Sequence, residues 1–213
     1  MRVIVMAKYP TPGAVKTRLA ATLGAETACR LHRAFLLDLR DRLERAALPV
    51  TWAYWPPQSD FAALIGGAPV VQQVGADLGE RMHRAACAVD ATRGSVVVLL
   101  GADTPHVPID TVRDAARRVE RGDDVAIGPA TDGGYYLIAF RPPRPELFTD
   151  IAWGGATVLA VTRARCREAG LRVGVLPVLF DVDETDDLDA LRGWCRSHPG
   201  LLARTEVVLD AVG

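Results

Sequence analysis

Lysine is almost missing from this chain of 213 residues: of 25 lysines and arginines only two are lysine, Lys8 and Lys16, and both stand in one short segment. Net charge is nearly missing as well, at −1, with acidic and basic residues interleaved. That balance excludes the broad basic face expected of a partner for nucleic acid or an anionic membrane. Long apolar runs are absent. Val3–Ala7 is too short for the hydrophobic region of a signal peptide, and no stretch approaches the length of a bilayer span. The four cysteines, Cys29, Cys87, Cys166 and Cys195, are far apart in helix-like stretches, without the close pairing of zinc or redox motifs, and read as buried thiols. These absences together predict a cytoplasmic protein. The four histidines, His32, His83, His106 and His198, are scattered, and no Ser/His/Asp or Cys/His grouping follows from spacing, so no covalent mechanism is indicated.

A hydrophobic content of 49% is enough for a substantial core, and no linker or repeat divides residues 1–213, so one domain is expected. Short β-rich runs alternate with helical patterns, the sequence form of a parallel sheet covered by helices, an α/β architecture. The expected strands are Arg2–Ala7, Val50–Trp55, Val70–Val74, Ser95–Leu100, Asp124–Ile127, Tyr135–Phe140 and Arg172–Pro177. The expected helices are Glu26–Ala47, Gln58–Ile65, Leu78–Ala91, Pro108–Arg121, Thr157–Ala169, Asp186–Arg196 and Leu201–Ala211. The first of these carries Leu31, Phe35, Leu36, Leu39 and Leu43 at the spacing of a core-facing stripe.

Ligands of open parallel sheets gather beyond the carboxyl ends of the strands, so the residues that follow each apolar run are the candidates. After the first strand, Pro12 and Gly13 shape an irregular loop in which Lys8, Lys16 and Arg18 face the oxygens of a di- or triphosphate. Lysine offers a compact point charge for such contacts. The loop is not a Walker A motif, because Val15 precedes Lys16, and the Gly-x-Gly-x-x-Gly dinucleotide fingerprint is absent. After the central strand, Asp103 is placed to hold a hard divalent cation, magnesium above all with manganese as the alternative, since such ions use one or two carboxylates together with phosphate oxygens and water, or else it is a turn or helix-capping residue before Pro105. Asp181 and Asp183, two apart, share a face in extended backbone, and either supplies a second carboxylate. Asp132, Gly133 and Gly134 let backbone approach a ligand, with Tyr135, Tyr136 or Asp132 contributing to an acceptor pocket, or form only a tight connection between strands. Trp153, before Gly154 and Gly155, is a substrate-side loop residue or a core anchor. Arg81 contacts phosphate or makes a surface salt bridge on its helix. This set suits direct displacement at phosphorus or at an anomeric carbon, with metal and cations stabilising a leaving phosphate.

Five ordered motifs carry a resemblance over nearly the whole chain: Lys8-x-Pro-x-Pro-Gly-x-x-Lys-Thr-Arg-Leu, Leu78-Gly-Glu-Arg-Met, Gly101-x-Asp-Thr-Pro, Gly128-Pro-Ala-x-Asp-Gly-Gly-Tyr-Tyr-Leu and Asp181-Val-Asp. They resemble the glycosyltransferase-A-like transferases known as arsenosugar-biosynthesis or radical-SAM/selenodomain-associated glycosyltransferases. The resemblance implies a three-layer α/β/α, Rossmann-like nucleotide-diphospho-sugar transferase fold with a mostly parallel sheet and a metal–nucleotide site. More distantly, Lys16-Thr17-Arg18-Leu19, Asp103-Thr104-Pro105, Asp132-Gly133-Gly134 and Asp181-Val182-Asp183 are similar to segments of phospholactate guanylyltransferase, and Asp-Thr-Pro to molybdenum-cofactor guanylyltransferase. This implies transfer of a nucleotidyl unit to a phosphate- or phosphonate-bearing acceptor with release of pyrophosphate. Glycosyl transfer from an NDP-sugar is the alternative, and a noncatalytic nucleotide binder the third reading. Glu184-Thr185 stands where those relatives have Thr-Pro, and Gly154-Gly155 where Ser-Thr follows the tryptophan, which leaves the acceptor open.

Overall fold

Alternation along the first strand sets the layers. Strand β1 (Arg2–Lys8) sends Val3, Val5 and Ala7 into one apolar cluster and Ile4 and Met6 into another, on opposite faces of the sheet. A strand buried on both faces reads as a continuous apolar run, as this one does. The computed structural model describes residues 1–57, 59–90 and 94–212. Among them the chain continues through α1 (Thr17–Leu23), α2 (Ala25–Arg45), β2 (Val50–Trp55), α3 (Phe61–Leu64), β3 (Val70–Gln72), α4 (Leu78–Val89), β4 (Val97–Gly101), α5 (Ile109–Glu120), β5 (Val125–Pro129), β6 (Tyr135–Phe140), a 3₁₀ turn (Pro145–Leu147), α6 (Val158–Glu168), β7 (Val173–Val175), α7 (Thr185–Ser197) and α8 (Ala203–Asp210).

The seven strands form one sheet in the order β3-β2-β1-β4-β6-β5-β7, and β6 alone runs antiparallel, against both β4 and β5. Helices α2 and α5 cover one face, through Leu36, Leu39, Leu43, Val112 and Val119. Helices α4 and α6 cover the other, through Met82, Ala85, Ala86 and Cys166. The expected three-layer, mostly parallel architecture is therefore present. A third cluster joins α1, α2, α7 and α8 around Leu19, Phe35, Leu191 and Leu209 beside the sheet.

Several boundaries differ from expectation. The basic loop ends at Lys16, and Thr17 and Arg18 open α1, a helix that the sequence pattern did not separate from the loop; Gly24, at φ +81°, divides it from α2. The expected Gln58–Ile65 helix is the shorter α3, capped by Asp60, whose carboxylate accepts from Ala63 N; Gln58 itself lies outside the described residues. The expected Leu78–Ala91 helix ends at Val89, and Ala91 lies outside the described residues. The Arg172–Pro177 strand contracts to Val173–Val175, followed by a bridge from Leu179 to Ala130. Because β6 is antiparallel, its first residue stands at the same sheet edge as the last residues of β1, β4 and β5. Each loop singled out after a strand therefore meets the others on one edge.

Candidate functional site

At that edge lies a cleft of about 610 Å³, and Lys8, Lys16, Arg18, Arg81, Asp103, Asp132, Gly134, Tyr135, Trp153, Asp181 and Asp183 all line it. Pro12 and Gly13 do not line it. They shape the loop from outside, Gly13 at φ +76° and Ala14 N donating to Thr11 O at 3.0 Å. Gly133 is also absent from the lining.

The acidic floor is two segments stapled by backbone. Val182 N donates to Asp103 O at 3.0 Å, and the buried Thr104 hydroxyl donates to Asp181 Oδ1. Val182 is buried in the third cluster, so its flanking residues Asp181 and Asp183 both reach the cleft. The segment is held from below by the α7 capping box, in which Asp187 accepts from Glu184 N and also from Asp183 N at 2.9 Å. The helix begins at Thr185 rather than at the expected Asp186.

Lys16 completes the floor. Its ammonium lies 2.9 Å from Asp183 Oδ1 and in contact with Asp103 Oδ1, and its side chain is only 2% exposed. Burial alone pushes this ammonium down, but Asp103 and Asp183 reverse the effect and hold its pKa above the ordinary lysine value. Burial likewise pushes Asp103 up, and Lys16 overrides it and keeps Asp103 below the usual carboxylate range. Asp181 has no such cation. Burial pushes it up to about 7, against the Thr104 hydrogen bond and with the charges of Asp103, Asp132 and Asp183 reinforcing the rise.

The other cations are placed differently. Arg18 Nη1 pairs with Glu184 Oε1 at 3.0 Å with both side chains exposed, a pair that contributes little stability. The expected surface salt bridge on α4 is made by Arg84 with Glu80, not by Arg81. The Arg81 guanidinium lies over the Trp55 ring, 4.0 Å from its centroid, and its Nε donates to Gly75 O at 3.1 Å. Lys8 pairs in register with Trp55 across β1 and β2, so both side chains leave the same face of the sheet. Neither Lys8 nor Arg81 has an ion-pair partner among the described residues.

At the β5–β6 connection, Asp132 Oδ1 takes a hydrogen bond from Gly134 N at 2.8 Å and closes the turn. Gly133 (φ +90°) lets the chain approach its own loop rather than a ligand: an added Cβ would lie 2.1 Å from Ala156 O. Trp153 packs edge-on to Tyr135, with centroids 6.3 Å apart, and lies against Gly79, where an added Cβ would meet the indole at 2.7 Å. It is a core anchor and a cleft wall at once. Burial raises the Tyr135 hydroxyl, while that of Tyr136 donates to Pro177 O at 2.9 Å and is raised to about 12, also by burial.

Among the lining residues not singled out from sequence, His32 and Gln73 carry buried polar groups. His32 is buried on α2 with Nε2 3.0 Å from Lys8 O, and burial lowers its pKa. Gln73 donates to Ala7 O and Ala53 O at 3.2 and 2.8 Å, tying the ends of β1 and β2 together. The available signal was a histidine within the apolar stripe of a long helix. Among the described residues, no three Asp, Glu, His or Cys side chains already converge as a metal site. Two carboxylates do converge on one cation, and that cation is Lys16. The donor chemistry therefore fits a hard divalent ion completed by phosphate oxygens and water.

The sheet order, the lone antiparallel strand and a carboxylate-floored cleft at its edge define the class as the nucleotide-diphospho-sugar transferase fold. Within that class the chain belongs to the family described as "Uncharacterized protein conserved in bacteria (DUF2064)", which matches residues 37–155. None of the curated proteins matches. A solved structure from Desulfovibrio desulfuricans G20, provisionally described as a nucleotide-diphospho-sugar transferase, is similar at 35% identity and TM-score 0.88 over 99% of this chain and 97% of that one. A cytidylyltransferase from Leptospira borgpetersenii shares 12% identity at TM-score 0.61, covering 99% of this chain and 92% of that one. Molybdopterin-guanine dinucleotide biosynthesis protein A from Archaeoglobus fulgidus shares 16% at TM-score 0.58, covering 92% of this chain and all of the other. The last two likenesses are likenesses of fold. No helix among the described residues is long and apolar enough to cross a membrane.

Proposed function

We propose that this chain is a divalent-metal-dependent transferase that uses an activated nucleotide, and specifically a nucleotidyltransferase. An oxygen of a small phosphate- or phosphonate-bearing acceptor forms a bond to the α-phosphorus of an NTP. The bond from that phosphorus to the bridging oxygen breaks, and pyrophosphate leaves. The observation that carries this reading is the charge layout of the cleft: Asp103 and Asp183 converge on one cation at the edge of β1 and β4, while Lys8 and Arg81 on the same cleft have no ion-pair partner among the described residues.

Lys8 and Arg81 are free to meet phosphate oxygens, the first as a point charge and the second as a planar fork steadied by Trp55. Arg18 joins them on releasing Glu184. Magnesium, or manganese in its place, supplies Lewis-acid stabilisation of phosphate charge when bound, and Asp103 with Asp183 or Asp181 would hold it. Asp132, Gly134, Tyr135 and Trp153 wall the space left for the acceptor. The similarity of Asp103-Thr104-Pro105 and Asp181-Val182-Asp183 to guanylyltransferase segments favours nucleotidyl transfer. Glycosyl transfer from an NDP-sugar is the second reading, favoured by the description of the Desulfovibrio relative. Four free thiols, three of them buried, suit a reducing cytoplasm.

The test is a screen of four NTPs against phosphorylated and phosphonylated acceptors with pyrophosphate detection, beside an NDP-sugar panel with NDP detection. Pyrophosphate release that falls about 100-fold or more in Asp103→Asn supports the first reading. NDP release alone replaces it with the second, and neither product from any pairing removes both.

A further inference from the structure

Lys16 is engaged more completely than a phosphate-holding lysine needs to be. Its ammonium is shared between the Asp103 and Asp183 carboxylates, its stem is buried, and the Phe35 ring lies 5.6 Å from Nζ. Its backbone is left-handed, at φ 48° and ψ 46°, although it is not glycine. Such a conformation persists where the surroundings over-determine it, and here a two-carboxylate clamp does so. A divalent ion and an ammonium repel strongly at contact distance, so they compete for the same two oxygens. A long, flexible lysine stem can withdraw where an arginine fork would not.

We propose that Lys16 is a tethered stand-in for the divalent ion: in the metal-free chain it holds Asp103 and Asp183 in their working arrangement, and it is exchanged when metal and nucleotide arrive together. This rests on the metal–nucleotide reading above and deepens it. The displaced ammonium needs a new anion, and the phosphates of the nucleotide provide one. Metal and nucleotide therefore bind cooperatively, because each relieves a cost that the other incurs. Metal alone must evict the lysine into a cleft without an anion, and nucleotide alone must pull it from two carboxylates.

The experiment measures Mn²⁺ affinity by calorimetry on the full chain, without nucleotide and with GTP or CTP tried separately. Wild type is compared with Lys16→Met, with Lys16→Asn as a second variant whose side chain is short and tolerant of left-handed backbone. Removing the ammonium is expected to tighten Mn²⁺ binding in the absence of nucleotide by about 5- to 150-fold, the usual span of coupling between sites. It is also expected to abolish the gain in Mn²⁺ affinity that nucleotide confers on wild type. A lysine that stayed in place and merely repelled the ion would also give the gain when removed, so the loss of nucleotide coupling is the diagnostic readout. If both variants bind Mn²⁺ no more tightly than wild type, the exchange is wrong. Asp103→Asn separates the two ideas. Loss of Mn²⁺ in that variant with unchanged binding in the lysine variants sinks the exchange alone, whereas Mn²⁺ binding by Asp103→Asn equal to wild type sinks the metal site as well.

Discussion

Replacing His106 with phenylalanine is expected to make the protein markedly less sensitive to acid. His106 follows the Asp103-Thr104-Pro105 segment and is 1% exposed, and neither ring nitrogen has a hydrogen-bond partner among the described residues. It stacks on Phe180 at 4.2 Å between centroids and lies 5.6 Å from Trp194. Burial, with the Arg42 guanidinium adding to it, lowers its pKa from 6.5 to about 4. Arg42 is held there by the carbonyls of Pro105 and Val107. The folded state thus binds the proton less well than the unfolded chain, so the contribution of His106 is fully present above its unfolded pKa and is lost as pH falls from 6.5 toward 4. At pH 5.0 the two values translate into a loss of about 2 kcal/mol relative to pH 7.5. Phenylalanine fills a similar ring-shaped space against Phe180 and leaves no orphaned nitrogen, so at pH 7.5 the variant should be at least as stable as wild type. Urea unfolding at the two pH values gives the comparison. The variant should lose about 2 kcal/mol less than wild type on acidification, with the lowered His32 still contributing in both proteins. Equal losses in the two proteins would refute the reasoning.

Asp181→Asn is expected to stabilise the metal-free protein at pH 8 by about 1–3 kcal/mol, less than the full span between 3.8 and about 7 allows because the group is partly exposed. Its folded pKa is raised, so its contribution is present in acid and lost as pH rises through 7; the advantage of the variant should shrink toward pH 5, and urea unfolding in EDTA that shows a pH-independent difference would contradict this. Gly133→Ala forces a Cβ to 2.1 Å from Ala156 O at φ +90° and should cost about 2 kcal/mol or more, read as a lowered melting temperature; an unshifted melt would mean that the loop yields freely.

The architecture was legible because each strand buried on both faces reads as an unbroken apolar run and each long helix carries one stripe, as Val3–Ala7 and the Leu31-to-Leu43 series do. Strand direction was not legible. Nothing in Tyr135–Phe140 says that it runs against its neighbours, because direction is set by a short connection that folds back through Asp132 and Gly133. The candidate positions were legible for a general reason: catalytic groups collect after strand ends, so Asp103, Asp181 and Lys16 could be named from position alone. Their pairing was not. Sequence puts Lys16 and Asp183 167 residues apart, and it is tertiary contacts, the backbone bond between Val182 and Asp103 and the Thr104–Asp181 bond among them, that bring the carboxylates to one ammonium. The helix α1 was hidden because Lys16 enters it from a left-handed backbone that a lysine rarely adopts.

That pairing changes which positive charges are available to a nucleotide. Counted by type, the segment from Lys8 to Arg18 holds three cations; counted by partner among the described residues, Lys16 answers two aspartates, Arg18 answers Glu184, and Lys8 has no carboxylate partner. The missing partner for Lys8 comes from a different part of the chain. Arg81 reaches the same cleft from α4, kept from collapsing onto a carboxylate by its stack on Trp55 and its bond to Gly75. In the metal-free chain, then, the anion-ready pair is Lys8 with Arg81, and the carboxylate floor keeps its own counter-ion. On the proposed exchange, a polyphosphate held by Lys8 and Arg81 would compete with the aspartates for Lys16 and raise the demand for a divalent ion beside the floor. The proposed exchange then predicts an order: the two cations without a carboxylate partner capture first, and Lys16 is released afterwards.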